Sequence, residues 1–347
     1  MSVTEGQVLN SLKSVEDPDL KKDVVSLGFI KNLKIEGGRV SFELELTTPA
    51  CPMKAQLKTA AEEAVKRIEG VTEVNVDVTS NVSSHRMPGN EEILPGVKNI
   101  VAVASGKGGV GKSTISVSLA VAMAKTGAKV GLLDTDIYGP SIPIMMGVTE
   151  KPEIRDNKLI PIVKYGVSLM SIGFLIPEDT PLIWRGPMVM KAVEQLLTDV
   201  EWGELDYLLM DLPPGTGDVQ LTLSQKVPLT GAVIVTTPQD VALLDVVRGI
   251  SMFRKLNVPI LGVVENMSFF SCPHCGGRSD IFSHGGGKAA SEKLDVPFLG
   301  EVPIDLKIRE GGDAGRPVSA DDSASPQSRV FMSLGEQLAA RISALGL

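Results

Sequence analysis

Cysteine is scarce in this sequence: Cys51, Cys272 and Cys275 are the only three in 347 residues. That scarcity excludes a disulfide-stapled secreted scaffold and leaves the thiols free for metal or redox chemistry in a reducing compartment. Long apolar runs are missing too. Nowhere do about 18 apolar residues follow one another, so no segment reads as a membrane-spanning helix. A basic excess is also lacking, with 34 Lys and Arg against 42 Asp and Glu and a net charge of −8. This balance argues against nucleic acid as the main partner, because a phosphate backbone demands basic surface. The opening residues, M-S-V-T-E-G-Q, lack the basic-then-apolar order of a secretory signal, so the expected location is the cytoplasm. Apolar side chains, by contrast, are plentiful at 43%, enough for a sizeable core and too many for a disordered chain. At ~150 residues per domain, the length suggests about two domains.

Residues 1–80 read as a small α+β domain. A helix over 4–15 is ended by D-P-D-L at 17–20, and strand-like runs at 25–35 and 39–47 are joined by Gly37-Gly38. In the second run Val40, Phe42, Leu44 and Leu46 alternate with polar residues, the period of a half-buried strand. A helix over 54–69 and an alternating strand over 71–78 complete the domain. Residues 81–98 carry Ser, Asn, Pro and Gly without periodicity and read as a linker. From 99 to 347 the character changes. Near-continuous apolar runs at 101–104, 130–133, 207–210, 232–235 and 260–264 are separated by helical stretches such as 113–126 and 239–255. That pattern predicts a doubly wound α/β domain on a mostly parallel sheet covered on both faces. For the helix at 239–255, Thr237 is the expected cap, Pro238 the first helical residue and Asp240 the partner in a capping box.

The sharpest signal is G-K-G-G-V-G-K-S at 106–113, placed between a strand and a helix. It fits the P-loop pattern in its required context. Gly106, Gly108, Gly109 and Gly111 let backbone N–H groups turn inward around phosphate oxygens, and the helix N-terminus adds partial positive charge. Lys112 reaches the β- and γ-phosphates and Ser113 holds Mg²⁺, while Val110 and Thr114 complete the nucleotide-binding stretch. Asp211 ends the strand Y-L-L-M-D, where a Walker-B carboxylate approaches Mg²⁺. Asp134 and Asp136 end another strand, and carboxylates at buried strand ends are costly unless paired or bound to metal. Capping of the following turn accounts for Asp134 equally well.

The second residue of the loop, Lys107, makes this P-loop unusual. G-K-G-G-V-G-K-S resembles the deviant Walker A of division-site, plasmid-partition, tail-anchored-protein and nitrogenase-iron-protein ATPases. The resemblance implies that Lys107 crosses a dimer interface to the partner's nucleotide and that Asp136 positions the attacking water. D-L-P-P-G-T-G-D at 211–218 resembles switch II of that group. Together with D-T-D-I-Y-G-P-S-I-P at 134–143, W-R-G-P-M at 184–188 and E-N-M-S-F-F-S-C-P-H-C-G at 265–276, it resembles the Mrp (ApbC-like) iron–sulfur carrier family. D-P-D-L-K-K-D-V-V-S-L-G at 17–28 and T-T-P-A-C-P at 47–52 resemble the small iron–sulfur-assembly domain fused to such proteins. The family implies an ATP-hydrolysing homodimer that carries a [4Fe–4S] cluster to apoproteins. It also implies Asn266 as an adenine contact. Trp184 and Arg185 read as residues touching the dimer partner, with ordinary packing an equal reading of Trp184.

Ligand arithmetic at Cys272-Pro-His-Cys275 leads the same way. Two thiolates are half of what a [4Fe–4S] cluster or a structural zinc usually takes, and two chains about a dimer axis would supply four. Two other readings stand beside it: a pair that binds nothing, and a zinc site completed by His274 or His284. Cys51, just before a helix N-terminus, reads as a transfer thiol or as a small apolar residue packed under its loop. His85 carries no assigned role. At the function level the alternatives are a partition-type positioning ATPase with structural zinc and a nitrogenase-reductase-like electron-transfer ATPase. The helix around 327–345 places Val330, Leu334, Leu338 and Ile342 on one face, closing a core rather than meeting a membrane.

Overall fold

The computed structural model describes residues 3–18, 20–86, 93–137, 139–175, 186–215 and 217–346. The chain divides into two compact units, Met1–Ser83 with Ala339–Leu347, and Ser84–Leu338.

In the first unit, α1 (Glu5–Leu12) starts on a reciprocal cap between Thr4 and Gln7. Strands β1 (Ile30–Glu36) and β2 (Arg39–Leu46) form an antiparallel pair. After α2 (Lys54–Lys66), β3 (Glu73–Ser80) joins β2 in parallel. The alternation of β2 does what its period dictates: Val40, Phe42, Leu44 and Leu46 are all buried, packed with Val8, Leu12 and Leu57. Burying each such side chain is worth about 1.5–3 kcal/mol. The strand expected from residue 25 starts only at Ile30. Asp23 Oδ1 accepts the N–H groups of Val25 and Ser26 at 3.1 and 2.8 Å, turning the chain there before it can extend.

The second unit is built on an eight-stranded sheet. Its strands are β4 (Val97–Ala104), β5 (Val130–Asp134), β6 (Ile162–Lys164), β7 (Val167–Ser171), β8 (Leu205–Asp211), β9 (Gly231–Thr236), β10 (Ile260–Glu265) and β11 (Phe298–Glu301). Their order is β6-β7-β5-β8-β4-β9-β10-β11, parallel throughout except for the edge pair β6–β7. Helices α3 (Lys112–Lys125), α4 (Gly186–Thr198), α5 (Asp218–Lys226), α6 (Asp240–Lys255), α7 (Gly286–Leu294) and α8 (Leu306–Asp313) lie along the chain between and after these strands. The last helix, α9 (Pro326–Ser343), belongs to this unit up to Leu338; along it Phe331, Leu334, Leu338 and Ile342 are buried and Val330 is half-buried. Every residue of β5 and β9 is buried, which is why these strands read as unbroken apolar runs. This is the doubly wound α/β fold. Among the described residues no helix is long and apolar enough to cross a membrane.

The start of α6 departs from expectation. Gln239, not Thr237, is the N-cap, without a side-chain cap bond, and Asp240 opens the helix. The Gln239 amide is drawn elsewhere, accepting from Thr237 Oγ1 at 3.4 Å and from Lys107 Nζ at 3.5 Å. Trp184 and Arg185 lie outside the described residues.

Candidate functional site

The loop from Gly106 to Gly111 joins β4 to α3 at the C-terminal edge of the sheet, where a doubly wound fold places its ligands. Gly109 and Gly111 both take φ of +80°, a left-handed conformation that side chains resist. Gly106 is needed for another reason: a Cβ there would collide with Asp245 on α6. Around Gly108 nothing lies within 4 Å of where a side chain would begin, so its face of the cradle is open.

Lys112, almost fully buried, sits between two of the predicted carboxylates. Its Nζ lies 2.6 Å from Asp211 Oδ2 and 3.7 Å from Asp136 Oδ2. Asp211 is the hub. Ser113 Oγ donates to its Oδ2 at 2.6 Å, Ser116 Oγ to its Oδ1 at 2.5 Å, and Thr135 Oγ1 to its carbonyl at 2.7 Å. Neither Ser116 nor Thr135 was singled out from the sequence. Ser116 stands one turn after Lys112, and that one-turn spacing, which puts both on one face of the helix, is the available signal. Asp134 is fully buried, and burial together with the charge of Asp211 pushes its carboxyl up to about 7. Hydrogen bonds from Asp136 N–H and the Ser171 hydroxyl, and the charge of Lys112, act the other way. Ser113 and Asp211 fit the modest demand Mg²⁺ makes of protein when phosphates supply other oxygens: a hydroxyl and a carboxylate side by side.

Asn266 follows β10, and its Nδ2 donates to Val110 carbonyl at 2.8 Å, so it contacts the P-loop directly. It lines a cavity of about 400 Å³ together with Thr114, Met267, Pro303, Asp305 and Ile308. Gly111 packs against the same amide, and a Cβ there would overlap Asn266 Nδ2. We therefore expect Gly111→Ala to lower unfolding stability by about 2 kcal/mol or more, from left-handed strain plus overlap. It should also weaken nucleotide binding. Denaturant midpoints and titration with a fluorescent ATP analogue check both, and wild-type values in both would show that the amide contact carries no weight.

From Asn266 the chain runs directly into the cysteine loop. A two-stranded antiparallel ribbon, Phe270–Ser271 with Arg278–Ser279, presents Cys272 and Cys275 at its tip. Cys272 N–H donates to Gly277 carbonyl and Gly276 N–H to Cys272 carbonyl, both at 2.9 Å, closing the loop. Cys272 is half-buried and Cys275 exposed. Backbone N–H groups of His274 and Cys275, and then the Cys275 thiol, hydrogen-bond to the Cys272 sulfur and hold its thiol below the usual range. That favours the thiolate, the form that ligates metal. His284 Nδ1 faces the Arg278 guanidinium at 2.7 Å, and Arg278 is also bound to Asp280 and Glu301. Among the described residues no three His, Cys, Asp or Glu side chains gather as a metal site. The loop therefore offers two thiols and no third donor beside them among the described residues.

Lys107 is half-buried, its ammonium at the long 3.5 Å from Gln239 and so only loosely held. Cys51 lies in the first unit, three residues before α2, and packs partly buried against that unit's core.

Residues 96–339 match the family described as NUBPL iron-transfer P-loop NTPase. This chain belongs to the iron–sulfur cluster carrier (Mrp/NUBPL) family. Residues 5–78 match a second family, iron-sulfur cluster assembly protein. An iron-sulfur cluster carrier protein from Synechocystis is 47% identical over 99% of this chain and 99% of its own length. The mouse iron-sulfur cluster transfer protein NUBPL is 48% identical over 76% of this chain and 83% of its own. Among solved structures, a nucleotide-binding protein in complex with ADP from Archaeoglobus fulgidus is 41% identical, covering 67% of this chain and 92% of that one, with a TM-score of 0.60. The cell division ATPase MinD of Pyrococcus furiosus, 23% identical with a TM-score of 0.52 over 69% of this chain and 97% of its own, shares the fold. Membership in the carrier family makes this chain a P-loop NTPase with a fused iron–sulfur assembly domain.

Proposed function

We propose that this carrier-family NTPase binds Mg·ATP between two copies of itself and holds a [4Fe–4S] cluster, its cargo, on Cys272 and Cys275 of both. It would deliver the cluster to cytoplasmic apoproteins. One observation carries the reading: an exposed two-thiol loop begins six positions after Asn266, whose amide is bonded to the P-loop. A cargo site and a nucleotide site thus share one strand end.

The residues divide the work as follows. The P-loop N–H groups and Lys112 bind the phosphates. Drawing Lys112 onto phosphate loosens its pair with Asp211, whose carboxylate then joins Ser113 as the ligands that would hold Mg²⁺, which supplies charge neutralisation across the phosphates. Asp136 orients the attacking water, and Lys107 brings a second cation from the partner copy. With Nδ2 committed to Val110, Asn266 keeps Oδ1 as an acceptor. An acceptor matches the exocyclic amine of adenine and not the carbonyl of guanine. Leu244, Val247, Ile281 and Phe282 expose apolar surface, and a groove of about 610 Å³ is lined by residues of α6 and α7 with Pro238 and Ser283. Surface of this kind favours association, here with a second copy. A positioning ATPase fits less well, because the last helix buries its apolar face instead of offering it to a surface.

Anaerobic reconstitution with iron and sulfide tests the proposal. The expected result is about four irons per dimer with cluster absorption, and transfer to an apo-ferredoxin. One tight zinc per chain with no transferable iron would favour the zinc reading. Reversible ATP-coupled redox cycling without cluster loss would favour electron transfer.

A further inference from the structure

Three strand ends lie in one row at the nucleotide edge of the sheet. Ser171 of β7 is opposite Asp134 of β5, and Asp134 is opposite Asp211 of β8. All three are fully buried. Ser171 Oγ donates to Asp134 Oδ2 at 2.9 Å, and the backbone N–H of Asp136 donates to Asp134 Oδ1 at 3.1 Å. The Ser171 hydroxyl also accepts the N–H of Gly173 at 3.0 Å. Gly173 in turn seats on Pro140, where an added Cβ would lie 3.1 Å from the proline ring. The end of β7 is therefore hydrogen-bonded to Asp134 and runs close to Pro140 in the loop that carries Asp136.

We propose that Ser171 is a positioning residue for ATP hydrolysis, its hydroxyl fixing the Asp134 carboxylate that holds the Asp136 backbone in place. The inference rests on the reading of Asp136 as the residue that orients water.

The geometry explains why such a donor is needed. β5 lies between β7 and β8, so Ser171 and Asp211 flank Asp134 from opposite sides. Lys112, 2.6 Å from Asp211 and 3.7 Å from Asp136, is the nearby cation on the Asp211 side. Without a donor on the β7 side, the Asp134 carboxylate is free to turn toward that ammonium and release the Asp136 N–H. A shift of the Asp136 loop by about 1 Å is enough to lower turnover by up to ~100-fold while leaving the phosphate cradle in place.

The test is steady-state ATPase kinetics beside titration with a fluorescent ATP analogue. For Ser171→Ala we expect affinity within about threefold of wild type and kcat lower by about tenfold or more. Ser171→Thr, which restores the hydroxyl, should recover kcat to within about threefold. The Ser171→Ala effect should vanish in an Asp134→Asn background, because the two residues act in series. Wild-type kcat in Ser171→Ala, equal losses of affinity and turnover, or additive effects in the double variant would each overturn the proposal. If Ser171→Ala does not fold, Ser171→Cys, with its weaker S–H donor, should give an intermediate kcat, and full activity there overturns it too. Asp136→Asn separates the two readings. Wild-type turnover in that variant removes the Asp136 assignment itself, whereas a slow Asp136→Asn beside a fully active Ser171→Ala overturns the Ser171 role alone.

Discussion

Cys272→Ala and Cys275→Ala should each abolish stable cluster binding while leaving ATP turnover within about threefold of wild type. The expectation follows from the count of ligands and from where the loop sits. A cubane takes four thiolates, each copy offers two on one exposed ribbon tip, and no third donor gathers beside them among the described residues. Either substitution leaves a pair of copies with two. Cys272 should be the more severe in rate of assembly, since its sulfur collects the hydrogen bonds that favour a thiolate while Cys275 is the exposed partner. The side chains proposed for catalysis are untouched, because Lys112 starts α3, Asp136 lies two residues after β5 and Asp211 ends β8. Iron per chain after reconstitution, and ATPase rates on the same samples, check both halves. A cluster that persists in the double alanine variant would move the ligands elsewhere. Cys51→Ser is the informative contrast: its thiol belongs to the other unit, so the reconstituted cluster should survive.

How far the sequence was legible differed between backbone and side chains. The apolar runs of β4, β5, β8, β9 and β10 announced the parallel sheet because each strand is buried on both faces, and the P-loop is written in adjacent residues. The turn at Asp23–Gly28 hid because a side-chain oxygen there captured the N–H groups that extended chain would have used. The cap of α6 was misread because the Thr237 hydroxyl bonds to Gln239, whose amide also receives Lys107, a contact 132 positions away in sequence. Ser116, Thr135 and Ser171 share that difficulty. Each is a common small polar residue whose meaning lies in which aspartate it meets, and only strand order sets that. Asp134 can be read as a turn cap or a site residue; in the structure it takes the N–H of Asp136 and stands beside Asp211.

The other large effect is expected at Lys112. Lys112→Ala should weaken ATP affinity by roughly 10–100-fold, the worth of charged hydrogen bonds to phosphate, and bring turnover to background. No other side chain in the loop can replace it: Lys107, the nearest in sequence, is turned toward Gln239. The substitution also changes the resting site. It strips the counter-charge from Asp211 and Asp136 and removes one of the influences that hold the Asp134 carboxyl down, so that carboxyl should move further up. Lys107→Ala separates the two lysines. Its ammonium makes only a long contact to a neutral amide, so nucleotide affinity should stay within about threefold while turnover falls by about 100-fold or more, the pattern of a charge used in the transition state. Titration with a fluorescent ATP analogue and steady-state phosphate release on both variants decide the matter. Wild-type affinity in Lys112→Ala would remove the phosphate assignment of the loop, and a Lys107→Ala enzyme that turns over normally as a monomer would remove the partner's lysine from the mechanism.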